Sequence, residues 1–173
     1  LEGDETELEK RQYYNSKSNL YSKYPQMIQL AMNLLDKNEY LYRILEVKYH
    51  YFSGVVYRLK IPAAQEFQTL IDSSLTEQLI AYKLEPNAAY INNELGILYK
   101  LEKKNRIAQN YYTKATELSP SWSIPWANLS GLYASEKDYK SGMEAAKTAI
   151  KIQPNYKGAI DNLGVIYEKT GNL

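Results

Sequence analysis

The chain has 173 residues, of which 45% are hydrophobic, so it is long and apolar enough to form a folded core rather than a disordered segment. Its 21 basic and 20 acidic residues nearly cancel, which argues against nucleic acid or an acidic membrane surface as the partner. The absence of cysteine excludes disulfides and thiolate metal sites, and no apolar run is long enough for a membrane span, so we expect no membrane insertion.

Residues 1–38 are expected to form an N-terminal helical lead-in or cap. The first ten residues are acidic, which is typical of a solvated helix start or a frayed terminus. A tyrosine-rich stretch from Tyr13 to Tyr24 follows, and Pro25 suits the first turn of a helix over residues 26–37. Leu30 and Leu34 are among the apolar residues expected on the inner side of that helix.

Residues 39–88 are expected to form a divergent helix pair with an insertion. Apolar side chains at helical spacing predict a long helix over residues 39–59, and Pro62 opens the second helix. Gly54 has a sequence context like that of Gly96, but the two glycines are eight positions further apart than the 34-residue period described in the next paragraph. We therefore expect eight extra residues at the internal turn around residues 60–66. An unrelated helical cap is the alternative.

A fixed 34-residue step organises the chain from Pro86 onward. Such a period indicates one supersecondary unit that is copied along the chain. Apolar spacings of three and four, with a proline at each junction, predict helices at roughly 88–101, 105–118, 122–135, 139–152 and 156–169. The residues that keep the step are Leu95, Leu129 and Leu163; Tyr99, Tyr133 and Tyr167; Pro86, Pro120 and Pro154; and Ala115 with Ala149.

These copies resemble the tetratricopeptide repeat (TPR), whose pattern of Trp, Leu-Gly, Tyr, small, aromatic, Ala and Pro they follow at many positions in register. The resemblance implies an all-α protein, an α-solenoid of antiparallel helix pairs that winds into a right-handed superhelix. It predicts repeats at 89–122 and 123–156 and the first helix of a truncated repeat at 157–173. Because the chain begins with leucine and ends within a repeat, we expect it to be a fragment of a larger multidomain protein.

The family resemblance also implies where a partner would bind. In TPR proteins the first helices line a concave groove that holds extended peptides or helices. We therefore expect a non-catalytic protein–protein interaction module with a protein or peptide partner and no cofactor, and small residues on the middle helix would leave room for the partner's side chains. The expected groove residues are Tyr90, Asn93, Ile97, Lys100, Leu101, Ala127, Asn128, Gly131, Ala134, Asp161, Val165 and Glu168.

One subclass of the family grips the terminal carboxylate of chaperone peptides with lysines, an arginine and asparagines. The corresponding positions here contain no cation and only Asn128 agrees in type, so a chaperone-tail clamp is not expected; they hold Asn93, Ile97, Asn128, Gly158 and Asn162. Asn128 also begins a glycosylation triplet. Its place within a helix, repeated at Asn162, favours structural hydrogen bonding instead.

The sequence lacks phosphate-binding loops and nucleophile elbows, so we expect no catalytic residues and no metal site. The single histidine, His50, is expected to be structural. Two alternatives stay open: a structural spacer that self-associates through the apolar C-terminal helix, and the substrate-docking arm of an enzyme whose catalytic domain lies outside this chain. A test of the helix placement is Trp126→Ala, which should cost about 3–5 kcal/mol if the ring is buried between helices.

Overall fold

The structure is a computed structural model that describes residues 2–61 and 67–171, with residues 2–11 described by their backbone alone. Within these ranges the regular structure consists of nine α-helices and no β-strand. The helices form two compact units, Leu1–Pro86 (unit 1) and Asn87–Leu173 (unit 2). The all-α class that the repeat period predicts is confirmed.

Unit 1 is built around one long helix. In chain order its helices are α1 (Glu2–Tyr21), α2 (Lys23–Met32), α3 (Tyr40–Lys60) and α4 (Phe67–Leu84). Both α1 and α2 pack on α3, and α3 pairs with α4. The predicted helix over residues 39–59 is confirmed by α3, whereas the predicted helix start at Pro62 and most of the turn at 60–66 lie outside the described residues.

The inner side predicted for residues 26–37 is wrong at two positions. Leu30 is 68% exposed and Leu34 is 86% exposed. Helix α2 ends at Met32, and the backbone N–H of Leu34 donates to the carbonyl of Ala31 in a tight turn, so Leu34 follows the helix instead of continuing its face. Met32, 5% exposed, is the buried side chain of this helix.

Polar side chains join α3 to α4. The hydroxyl of Ser74 donates to the carbonyl of Gly54, and the side-chain amide of Gln78 donates to the carbonyl of Tyr51, each at 2.8 Å. His50 Nδ1 lies 2.7 Å from Oε2 of Glu77, so the histidine connects the two helices. This contact agrees with the structural role expected of His50.

Unit 2 follows the 34-residue period closely. Its helices are α5 (Ala89–Leu101), α6 (Asn105–Leu118), α7 (Ser123–Ser135), α8 (Tyr139–Ile152) and α9 (Lys157–Thr170), each within one residue of the predicted bounds. Helices α5 and α6 form one pair, α7 and α8 form the next, and α9 packs on α7 and α8. Leu95, Leu98 and Leu132 are fully buried between them.

A residue with left-handed backbone follows the first helix of each copy, within two positions of its end. Lys103, Lys137 and Gly171 have φ angles of 60°, 65° and 69°, and their positions follow the repeat period. In the first two turns the following N–H reaches back 2.9 Å to a carbonyl of the preceding helix, as from Asp138 to Tyr133. Glycine adopts this conformation without cost, whereas a lysine pays about 1 kcal/mol for it.

Candidate functional site

The first helices of unit 2, α5, α7 and α9, are joined side by side through asparagine side chains. The amide nitrogen of Asn128 on α7 donates to Oδ1 of Asn93 on α5 at 2.8 Å. One copy later, the amide nitrogen of Asn162 on α9 donates to the backbone carbonyl of Ala127 on α7, also at 2.8 Å. The structural role predicted for Asn128 is confirmed, and the two contacts hold the three helices at fixed spacing.

Ten of the twelve expected groove residues keep accessible surface. The two outer helices provide most of it, because α7 lies between them and is covered on both sides. The exposed residues are Lys100, Leu101, Asp161, Val165 and Glu168, and the half-buried ones are Tyr90, Ile97, Asn128, Gly131 and Ala134. These ten residues include one cation on α5 and two carboxylates on α9.

The small residues on the middle helix, α7, leave less open space than expected. Ala127 is 3% exposed because it packs with Ala149 and Ala159, and Asn93 is 5% exposed beneath its contact with Asn128. Next to Gly131, the Asn162 side chain fills the space, since an added Cβ would lie 3.2 Å from its amide nitrogen. Ala127 and Asn93 are therefore buried within unit 2 and leave no open space on the first helices.

The charged groups at this surface are partly neutralised or desolvated. Neighbouring side chains partly desolvate the Lys100 ammonium, which lowers its pKa although the residue as a whole is exposed. On α9, Nζ of Lys157 lies 2.7 Å from Oδ2 of Asp161, and Lys169 lies 3.9 Å from Glu168. Exposed pairs of this kind contribute little energy.

The described ranges offer neither metal ligation nor a membrane span. No three His, Asp or Glu side chains among the described residues stand close enough to hold a metal ion. None of the helices in the same ranges has the length and apolar character needed to cross a bilayer.

Unit 1 carries a second accessible surface, which includes Leu30 and Leu34, two residues that were expected to face inward. Met27, Leu30 and Leu34 are 65%, 68% and 86% exposed. Beside Leu30 an open cavity of about 410 Å³ lies between α2 and α3, where Pro25 and Tyr49 form part of its wall. The early end of α2, which an apolar spacing pattern does not reveal, accounts for the exposure of Leu34.

Comparison with known proteins supports the repeat assignment. The family model described as "Tetratricopeptide repeat" matches residues 89–121 and 125–156. A solved structure with a similar fold is the Sgt2 TPR domain from Aspergillus fumigatus, which is 16% identical; the match covers 73% of this chain and 80% of that domain, with a TM-score of 0.65.

Two further structures extend the likeness. MamA is 16% identical over 90% of this chain and 83% of its own, with a TM-score of 0.63. The first TPR domain of Spaghetti (RPAP3), bound to the HSP90 peptide SRMEEVD, is 14% identical over 70% of this chain and 95% of its own, with a TM-score of 0.57. At these identities the likeness concerns the fold, and the two matched repeats with the 34-residue period identify residues 89–121 and 125–156 as tetratricopeptide repeats.

Proposed function

We propose that unit 2 is a non-catalytic protein-binding module that holds a peptide or helix of a partner protein against α5, α7 and α9. The observation that carries the proposal is the placement of Tyr90 and Ile97: both keep accessible surface on α5, beside a polar scaffold fixed by the contact between Asn93 and Asn128. A rigid scaffold lowers the entropy cost of binding, and half-buried aromatic and aliphatic side chains are effective anchors.

Two further observations bear on the kind of ligand. RPAP3, which has a similar fold, was solved with a bound peptide. The HSP90 tail itself is a poor candidate ligand here, because the positions that clamp its carboxylate in that subclass carry no cation in this chain. We therefore expect ligands that are recognised by apolar side chains instead of a terminal carboxylate.

The proposal is tested by selecting binders from a library of random peptides displayed on phage, with the whole chain as bait. Tyr90→Ala combined with Ile97→Ala should weaken the selected peptides at least about tenfold, a loss on the scale of two anchor side chains. The matched control is Ile107→Ala combined with Tyr139→Ala, which changes the same two residue types on the second helices α6 and α8. Equal affinity of the groove variant and the wild type would reject the proposed binding surface.

The second candidate, a structural or self-assembling segment, is favoured by one observation on α9. Ile160 and Val165 are each 47% exposed. If this helix joins two copies, light scattering will show a mass that rises with concentration, and Val165→Asp will abolish the rise. A docking arm for an enzyme remains a prediction, which the sequence of the parent protein would test.

A further inference from the structure

A small cavity in unit 1 lies between α1 and α3. Its volume is about 280 Å³, and half of its lining residues are tyrosines: Tyr13, Tyr14 and Tyr21 on α1 and Tyr51 on α3. This volume is at the lower end of the range for ligand sites in proteins. The cavity is therefore large enough for a small molecule or for one side chain of a partner.

The charges at this cavity are positive. Lys17 on α1 and Arg58 on α3 both line it, and no Asp or Glu among the described residues does. The Lys17 ammonium lies 5.2 Å from the centre of the Tyr13 ring, a cation–π contact that holds it at the cavity. A guanidinium has five N–H donors, so Arg58 is able to bind a ligand while it keeps contacts within the protein. The charges favour an anionic ligand.

The aromatic side chains of the wall are held by contacts with other rings. Tyr51 packs edge-on against Phe52 with 5.2 Å between the ring centres, and Tyr21 lies 6.4 Å from the same phenylalanine. Tyr14 packs edge-on against Tyr13 at 5.5 Å. These contacts restrict the rings before any ligand arrives, which lowers the entropy cost of binding.

The same side of α1 also carries a buried hydroxyl that lacks a protein partner. Ser18 follows Tyr14 by four residues and precedes Tyr21 by three, so the three residues share one side of the helix. It is 3% exposed, and its Oγ makes no hydrogen bond to any described residue. Buried polar groups are normally paired, so this hydroxyl is an independent sign that the region around the wall accommodates a polar ligand.

The lining excludes most kinds of ligand. A cation would be repelled by Lys17 and Arg58, and a wholly apolar ligand would remove both charges and the tyrosine hydroxyls from water without replacing their hydrogen bonds. A carboxylate carries a single charge for two cations. A phosphomonoester carries about −1.5 to −2 charges and three strongly accepting oxygens, which suits two cations surrounded by hydroxyl donors.

We propose that this cavity binds an organic phosphomonoester. Its phosphate lies between Lys17 and Arg58, and its organic group lies against Val55 and Leu59, the buried apolar part of the lining. The neighbouring tyrosine rings pack beside that organic group. The site belongs to α1 and α3 and shares no residue with the peptide-binding surface proposed on unit 2.

The test is isothermal titration calorimetry of the whole chain with phenyl phosphate, which should show saturable one-to-one binding. Benzoate keeps the ring but has one charge, and inorganic phosphate lacks the ring, so each should bind at least about tenfold more weakly. Lys17→Gln and Arg58→Gln should each weaken phenyl phosphate at least about tenfold, because a charged hydrogen-bond donor is lost. The matched control is Lys23→Gln, which changes an exposed lysine on α2 that does not line the cavity and should leave the affinity unchanged.

Four results would overturn the inference. They are a titration without saturation, equal affinity for benzoate, equal affinity for inorganic phosphate, which would mean an adventitious ion only, and unchanged binding by Lys17→Gln whose fold is intact by circular dichroism. A pentapeptide with phosphotyrosine at its centre distinguishes the two sources of the ligand. Tighter binding than phenyl phosphate identifies a modified side chain of a partner protein, and equal or weaker binding identifies a free phosphomonoester. Retained binding in the Tyr90→Ala, Ile97→Ala variant separates this test from that of the peptide-binding surface.

Discussion

The same substitution at two equivalent positions should change stability in opposite directions. In a helix interior, Gly→Ala gains about 1 kcal/mol from backbone entropy. At Gly164 this gain stands alone because the added methyl group meets no atom of the described residues. At Gly96 the methyl would lie 2.5 Å from two ring carbons of Tyr112, whose ring is 1% exposed and cannot move aside. Overpacking costs about 1–3 kcal/mol, and with a rigid neighbour the upper value applies, so Gly96→Ala should destabilise unit 2 by about 2 kcal/mol net.

Urea unfolding followed by tryptophan fluorescence measures the free energy of unfolding of unit 2, because both tryptophans, Trp122 and Trp126, lie in that unit. The two variants should differ by about 3 kcal/mol in free energy of unfolding. In a Tyr112→Ala background the cost of Gly96→Ala should disappear, since the atoms that it meets are gone. Stabilisation by both variants, or a cost that persists without the ring of Tyr112, would refute the packing argument.

Three further changes test other features of unit 2. Trp126 is half-buried, and its Nε1 donates to the carbonyl of Pro120 at 3.0 Å. Trp126→Ala should therefore lower the free energy of unfolding in urea by about 2–3 kcal/mol, which is less than the loss of a fully buried ring. A loss below about 1 kcal/mol would contradict the contact. Lys137→Gly relieves the left-handed backbone and should raise the free energy of unfolding by about 0.5–1 kcal/mol, whereas a decrease would contradict it. Hydrogen bonds from the side chain and backbone of Ser141 keep the pKa of Asp138 below its ordinary value of 3.8. The stability that this helix cap contributes is therefore fully present above pH 3.8 and is lost as the pH falls through the lowered pKa. The difference in Tm between wild type and Asp138→Ala should be present at neutral pH and become smaller below about pH 4. A constant difference across that range would show that the carboxylate is not involved.

The helices of unit 2 could be predicted from the sequence because their contacts repeat with the chain. Residues at the same repeat position need side chains of the same kind, so the positions of Leu95, Leu129 and Leu163 predicted three helices together. The turns were harder to read. Lys103 and Lys137 occupy a position that glycine usually takes, and only their alignment with Gly171 identifies the left-handed backbone.

The groove could be predicted only in part. Repeat position identified the helices that carry it, but accessibility depends on which side chain of the next helix lies above each residue. Asn162, which the sequence did not assign to the groove, reaches α7 and fills the space beside Gly131. Helix α2 lies outside the region that follows the repeat period, so its inner side was predicted from apolar spacing alone. Leu30 and Leu34 were misplaced for that reason.

The packing of unit 1 nevertheless supports the interpretation of residues 39–88 as a divergent repeat. Gly54 meets Gln78 as Gly96 meets Tyr112, although the first pair is eight positions further apart in sequence than the second.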